Sequence, residues 1–381
     1  MTRGSLLLTA GLAVLFAATA SAAESVKIGM NLPQTGIGAA DGKSVLTAAQ
    51  IAVDEVNADG GVNGKPVELV VYDDQTSPKF SVPVATKLIE KDQVPIAISG
   101  SYSGATRAAA GVFQAAGVPY ISAYAVHPDI TRAGDLVFRT SFVGEVLGRA
   151  GAHLVGKQLG KKRAVVTVMK NDYGKSLARG FKEVAAKFGI EIVNEYEYSL
   201  KDRQFGPIVS KIKADNPDII YDTGYWFVAA PLVSQLRGGG VNAPVVGQEG
   251  YDGQKFIEIA GAAADGVMIT TSLDRDSTVP KIKAFMDEFE KRAGYKADMV
   301  GASAHVAVNV AVAALRKAGS LDGKAIQAAL QQTKYEGVTG KIRFNEIGEA
   351  YKVVQVQVVR DGGWHHHSVI TDAKLLTPPL N

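Results

Sequence analysis

The strongest constraint in this sequence is its repeated exchange of a short β-rich run for a helical one. Residues 26–32 are followed by a helical stretch at 44–57, 67–72 by 80–91, and 96–100 by 105–116. This order implies parallel strands joined by crossover helices, because parallel neighbours need a connection long enough to return the chain to the same end of the sheet. Ala105, Ala108, Ala109, Val112, Phe113 and Ala116 recur at helical spacing, giving one apolar stripe to lay on a sheet. Beyond Thr140 the exchange resumes, with β-rich runs at 164–169, 190–198, 218–223, 244–247 and 267–271 separated by helical segments such as 176–188.

So many strands fit two sheets better than one, since very wide open sheets tend to split. The length of 381 residues also exceeds what one hydrophobic core usually supports. The expected fold class is therefore α/β, with two doubly wound, parallel-sheet lobes. The pattern weakens between Phe138 and Gly148 and again near 272–280, where the chain is expected to cross between lobes. The apolar stretch 299–315 contains Ser303, His305 and Asn309 and falls short of the roughly 20 residues of a spanning helix, so it predicts a buried core helix. In 352–360, Val354, Val356 and Val358 alternate as in a strand with one solvent-facing side, expected to close the second sheet. The cluster Asp59-Gly60-Gly61-Val62-Asn63-Gly64 predicts a turn that stops the first helix and feeds the second strand.

The first 23 residues read differently. Arg3 gives a positive start, 6–18 is an apolar run too short to span a bilayer, and Ala20-Ser21-Ala22 offers the small residues of a cleavage site. This predicts an export signal cleaved near residues 22–23 and a periplasmic destination. The chain has no cysteine, which excludes disulfides, thiol nucleophiles, zinc-thiolate sites and lipid attachment at an N-terminal cysteine. Its 41 basic residues are dispersed and nearly balanced by 38 acids, so nucleic acid is not an expected partner.

In open parallel sheets ligands sit beyond the carboxyl ends of the strands, where helix N-termini present unpaired N–H groups. Ser99-Gly100-Ser101-Tyr102-Ser103-Gly104-Ala105-Thr106 follows a strand and opens a helix. Its hydroxyls, glycines and free amides suit a carboxylate, although Ser103 acting only as a helix cap is the plainer alternative. The next strand leads into Tyr124, Ala125 and Val126 at the same edge. Tyr173, Tyr225 with Trp226, and Glu249 follow strands of the second half. Glu249 beside tyrosine rings offers an ammonium group both a counter-charge and cation–π faces, with a solvated loop glutamate as its alternative.

Asn57-Ala58-Asp59-Gly60-Gly61-Val62-Asn63-Gly64, Tyr72-Asp73-Asp74, the Ser103 loop and Tyr173-Gly174 together resemble the periplasmic leucine/isoleucine/valine-binding protein family of branched-chain amino acid transporters. The likeness runs across essentially the whole mature chain. It implies a three-segment hinge, with residues 24–142 and 274–348 in an N-terminal lobe and 143–273 and 349–381 in a C-terminal lobe. Ser103 and the amides after it, from Gly104 on, would hold the ligand carboxylate, and Tyr102 beside them is also an expected ligand-binding residue. Glu249 and backbone groups of Tyr124, Ala125 and Val126 would hold the ammonium, and Tyr173 and Tyr225 would line the opposing lobe. The resemblance also implies a monomer that uses no cofactor, performs no catalysis, and delivers its small-molecule ligand to a membrane permease with a cytoplasmic ATPase.

Two positions depart from the pattern. Val126 stands where amino-acid binders of this type usually present a threonine, and Asp41 stands in a loop position where an aromatic is common. Asp41 beside a bare isobutyl group would be costly, so either it faces water or the ligand is polar. An aromatic or other organic carboxylate is a rival ligand, favoured by Tyr102, Tyr124, Tyr173, Tyr225 and Trp226 but opposed by Glu249. A sensor component for a receptor shares the same fold. A secreted enzyme would need a nucleophile and base in one cleft, and the sequence offers no such pair.

Gly36-Ile37-Gly38 lacks the third glycine of a dinucleotide loop, and Gly100 to Gly104 has Tyr102 where a nucleophile elbow needs serine. His365, His366 and His367 are adjacent on an expected turn or strand edge, so they cannot all converge on one metal from a strand. His305 and Asn309 are expected to be satisfied polar groups inside a core.

Overall fold

A computed structural model describes residues 24–380; the expected export signal lies outside the described residues. The first sheet has the order β2-β1-β3-β4-β5. Its strands are β1 (Val26–Leu32), β2 (Val67–Asp73), β3 (Ala97–Ser99), β4 (Tyr120–Ser122) and β5 (Val137–Arg139), all in parallel register. The helices α1 (Ala39–Ala58), α2 (Pro78–Glu90) and α3 (Ser103–Ala116) return the chain between them. The second sheet runs β14-β13-β10-β9-β8-β6-β7. Here β6 (Arg163–Met169), β7 (Glu191–Tyr198), β8 (Ile219–Asp222), β9 (Val245–Gln248) and β10 (Met268–Thr271) are parallel. The strands β13 (Val354–Arg360) and β14 (Gly363–Ile370) add an antiparallel edge.

In the second lobe, α4 (Gly144–His153) packs on α5 (Asp172–Val184), α6 (Gly206–Asp215) and α7 (Trp226–Gly238) follow, and α8 (Gln254–Ala260) packs on α7. The chain then returns to the first lobe through α9 (Pro280–Ala293), α10 (Met299–Ala318) and α11 (Gly323–Gln331), with α10 laid along α1. A small hairpin, β11 (Lys334–Gly337) and β12 (Gly340–Arg343), precedes the last crossing. Three passages thus join the lobes, after β5, after β10 and after β12.

As expected, α10 is a core helix. Although its length and hydropathy would suit a span, 83% of its apolar window is buried in protein. His305 within it is buried against the Glu55 carboxylate at 2.9 Å, and Asn309 Nδ2 donates to the His305 carbonyl at 2.9 Å. The turn after α1 needs its glycines: Gly61 has φ +66°, and a Cβ there would lie 2.0 Å from the Lys65 carbonyl oxygen.

Two expectations are corrected, while the three adjacent histidines lie at a strand edge as expected. β13 is an interior strand, buried at Val354, Val356, Gln357 and Val359, because β14 pairs outside it, with a bulge at Val356/Gln357, and closes the sheet instead. His365, His366 and His367 lie on that edge strand; His365 and His366 turn toward Asp276 (3.4 Å) and Asp274 (3.6 Å) of the second crossing. No group of metal-ligating side chains large enough to hold an ion occurs among the described residues. Finally, α1 begins at Ala39, so Asp41 belongs to a helix's first turn and not to a loop.

Candidate functional site

The cleft between the sheets is built from strand exits. Beyond β3 the chain turns through Gly100, where a Cβ would lie 2.4 Å from Val45 Cγ1, so only glycine lets the loop approach α1 this closely. Ser101 Oγ donates to buried Asp74 at 2.9 Å, and Ser99 Oγ meets Thr106 Oγ1 at 2.7 Å, fixing the start of α3. Tyr102 occupies the N-cap position with extended backbone and no side-chain cap, which makes Ser103 the first helical residue rather than the cap. The first-turn amides of α3 consequently have no intrahelical acceptor. Ser103 Oγ accepts the Val126 N–H at 3.2 Å, which leaves its hydroxyl proton to donate into the cleft.

Beyond β4, Tyr124 OH donates to the Gly100 carbonyl at 2.9 Å. Arg139, fully buried, holds the following segment: its Nη1 donates to the Ala125 carbonyl at 2.6 Å, its Nη2 to the His127 carbonyl at 2.7 Å, and its Nε faces Glu349 at 2.9 Å. On the opposing side, Asn171 Oδ1 caps α5 through the Gly174 N–H at 2.8 Å and sets Tyr173 in its first turn. The Tyr173 hydroxyl accepts the Gly250 N–H at 3.0 Å, and a Cβ on Gly250 would reach that oxygen at 2.5 Å. Asp222 receives Thr167, Tyr198 and Tyr251 hydroxyls and the Gly224 N–H, which fixes the turn presenting Tyr225 and Trp226.

These elements meet across the gap. The Tyr225 ring stacks between Tyr102 (centroids 4.5 Å) and Tyr173 (4.4 Å), and Trp226 Nε1 donates to Asp41 Oδ1 at 3.1 Å. Since Tyr102 and Asp41 belong to the first lobe and Tyr225, Trp226 and Tyr173 to the second, the lobes are closed on each other. The cavity they enclose is also lined by Ser103, Tyr124, Ala125, Glu249, Gly250, Asp252, Met299 and Val300.

Of the ten residues singled out in the sequence, eight line this cavity. Gly104 does not, because its α-carbon faces Pro78 of α2. Val126 is fully buried behind the wall, with its N–H on Ser103 and its carbonyl accepting the Gly144 N–H at 2.8 Å. Asp252, Met299 and Val300 carried no signal; Arg275 pairs with Asp252, whose carboxylate also accepts the Met299 N–H at 3.1 Å, linking the loop to the start of α10.

Glu249 is 3% exposed, and its Oε2 has no hydrogen-bond partner among the described residues. Burial, reinforced by Asp252, pushes its carboxyl well above the usual range. The opposing pull comes from Lys352, outside the cavity, whose ammonium donates to the Thr140 carbonyl (3.2 Å) and Thr339 Oγ1 (2.6 Å) and is itself pushed down to about 7 by burial. Burial likewise raises Asp41 to about 6 against the hydrogen bonds from Tyr102 and Trp226. Asp298, which caps α10 through the Gly301 N–H at 2.9 Å, is raised by burial to about 7.

A raised carboxyl favours the protonated folded state, so Asp298 stabilises the fold below about pH 4 and that contribution is lost as pH climbs to about 7. The ligand-free protein is expected to lose on the order of 2–4 kcal/mol of stability through this group over that interval. Asp298→Asn, which retains a capping oxygen, should flatten the fall in unfolding midpoint measured from pH 4 to 8.

Two α/β lobes closed over a small cavity, with an open helix N-terminus on one wall and an unpartnered carboxyl on the other, define a solute-binding protein. A family model described as a periplasmic binding protein matches residues 25–363, and the chain belongs to that family. A leucine-, isoleucine-, valine-, threonine- and alanine-binding protein of Pseudomonas aeruginosa is 30% identical over 94% of this chain and 95% of its own. The isoleucine complex of a branched-chain amino acid transporter substrate-binding protein from Streptococcus pneumoniae superposes with a TM-score of 0.85 at 29% identity, covering 91% of this chain and 99% of that one. A solute-binding protein of Rhodopseudomonas palustris in complex with 3,4-dihydroxybenzoic acid shares the fold (TM-score 0.84, 24% identity, 92% and 98% coverage). The family consists of solute-binding proteins rather than enzymes, and its members serve ABC transporters.

Proposed function

We propose that this protein is exported to the periplasm, binds an amino acid between its lobes as a monomer without catalysis, and delivers it to an ABC permease. Its lobe boundaries are taken at 142/143, 273/274 and 348/349, which is supported by their position in the connections after β5, β10 and β12, where the chain passes between elements of the two sheets. The observation that carries the reading is Glu249: a buried carboxyl whose Oε2 lacks a partner calls for a cationic donor. An α-ammonium there would place the α-carboxylate toward the Ser103 hydroxyl and the free amides of α3, and hinge closure would strengthen both contacts by excluding water.

A second reading, an aromatic carboxylate, is favoured by the Tyr102, Tyr225 and Tyr173 stack. The two separate in mass spectrometry of ligand released from the purified protein, followed by calorimetric titration with amino acids and benzoates. An amino acid is expected. Recovery of a benzoate alone, with no heat from any amino acid, overturns the reading.

A further inference from the structure

The inner cavity does not end at its aromatic wall. Asp41 and Trp226 also line a second cavity, walled by Lys43, Ser44 and Tyr295 from the first lobe and Gln254, Lys255 and Glu258 from the second. The Asp41–Trp226 contact is therefore a partition between two compartments. Sequence reasoning allowed Asp41 either water or a polar ligand; the structure shows a carboxylate held by neutral donors from both lobes, Tyr102 OH at 2.5 Å on Oδ2 and Trp226 Nε1 on both oxygens.

No ion pair to Asp41 exists among the described residues. The lysines of the outer compartment are engaged elsewhere, Lys43 on the Ala293 carbonyl (3.3 Å) and the Tyr295 ring, Lys255 on Glu258 (2.6 Å). The inner cavity has no basic side chain in its wall, and of its three acids only Asp252 is paired with a cation, Arg275. An ionised carboxylate has about four acceptor sites, and two donors leave Asp41 with acceptor capacity to spare. An α-ammonium on Glu249 would thus leave the cleft one positive charge short.

We propose that the ligand's side chain ends in a hydrogen-bond donor, an ammonium, guanidinium or amide, which Asp41 accepts at the partition while Met299 and Val300 flank the apolar stem. The proposal rests on the amino-acid reading and narrows it. Calorimetric titration of the wild type and Asp41→Asn with lysine, ornithine, arginine, glutamine, leucine and isoleucine tests it. One of the first four is expected to bind at least about tenfold tighter than leucine, and Asp41→Asn to remove that margin. Urea unfolding of both proteins reports whether the variant is folded. A wild type that prefers leucine or isoleucine, or a margin unchanged in Asp41→Asn, overturns the proposal while leaving the amino-acid reading intact; binding of benzoates only overturns both.

Discussion

Glu249→Gln is expected to weaken amino-acid binding by about two to three orders of magnitude, because losing one partner of a desolvated charge pair costs roughly 2–5 kcal/mol. The same change should leave the ligand-free fold equally stable or more stable. Glu249 is buried with Oε2 unpartnered, so the native carboxyl carries a desolvation cost that a neutral amide reduces. Opposite signs for binding and stability are what distinguish a carboxyl kept for its ligand from one kept for the fold. Calorimetry and urea unfolding of the two proteins measure both. Loss of stability with unchanged affinity would show that Glu249 serves the fold and that the ammonium binds elsewhere. A benzoate, lacking an ammonium, should be nearly indifferent to the substitution.

Much of the fold was legible because periodicity reports local environment. The run 26–32 coincides with β1, and the stripe from Ala105 to Ala116 lies within α3. What escaped was set by pairing across the sheet. β14 reads as a polar, histidine-rich segment because its edge position leaves much of it in water, and β13 cannot announce a bulge that only its partner reveals. The start of α1 was read too late because its first turn packs under Pro33; a Cβ on Gly42 would lie 1.7 Å from the Pro33 carbonyl oxygen, a contact no helical propensity encodes.

The cleft shows the same division. Ser103, Tyr173, Tyr225 and Glu249 follow strands, and open α/β sheets place ligands there, so topology pointed to them. Asp252, Met299 and Val300 arrive from a loop and a helix start joined by the Met299 N–H on the Asp252 carboxylate, which Arg275 also pairs, and no local pattern marks such a convergence. Asp41 was noticed for its charge, but its partners Tyr102 and Trp226 lie 61 and 185 residues away, so its setting was beyond sequence reasoning.

The interior ion pair at the first hinge crossing carries the largest expected effect on stability. Arg139 ends β5, is fully buried, and faces Glu349 of the third crossing at 2.9 Å, while its backbone N–H donates to the Gly348 carbonyl at 2.9 Å. Glu349 also accepts the Thr131 hydroxyl at 2.5 Å, so this pair ties two of the three passages between lobes to the wall of the cleft. Arg139→Met keeps much of the apolar stem but strands the Glu349 carboxylate and removes the donors to Ala125 and His127. The expected loss is about 3–5 kcal/mol in urea unfolding, the usual cost of leaving one member of a buried pair without the other. Adding Glu349→Leu removes the stranded charge and should recover about half of that loss, the remainder belonging to the guanidinium's own hydrogen bonds to the Ala125 and His127 carbonyls. Ligand affinity should fall with Arg139→Met as well, because Ala125 lines the cavity and its carbonyl is held in place by this guanidinium. A single variant as stable as the wild type would mean that water replaces the guanidinium at little cost, and that the hinge is held by its backbone pairing alone.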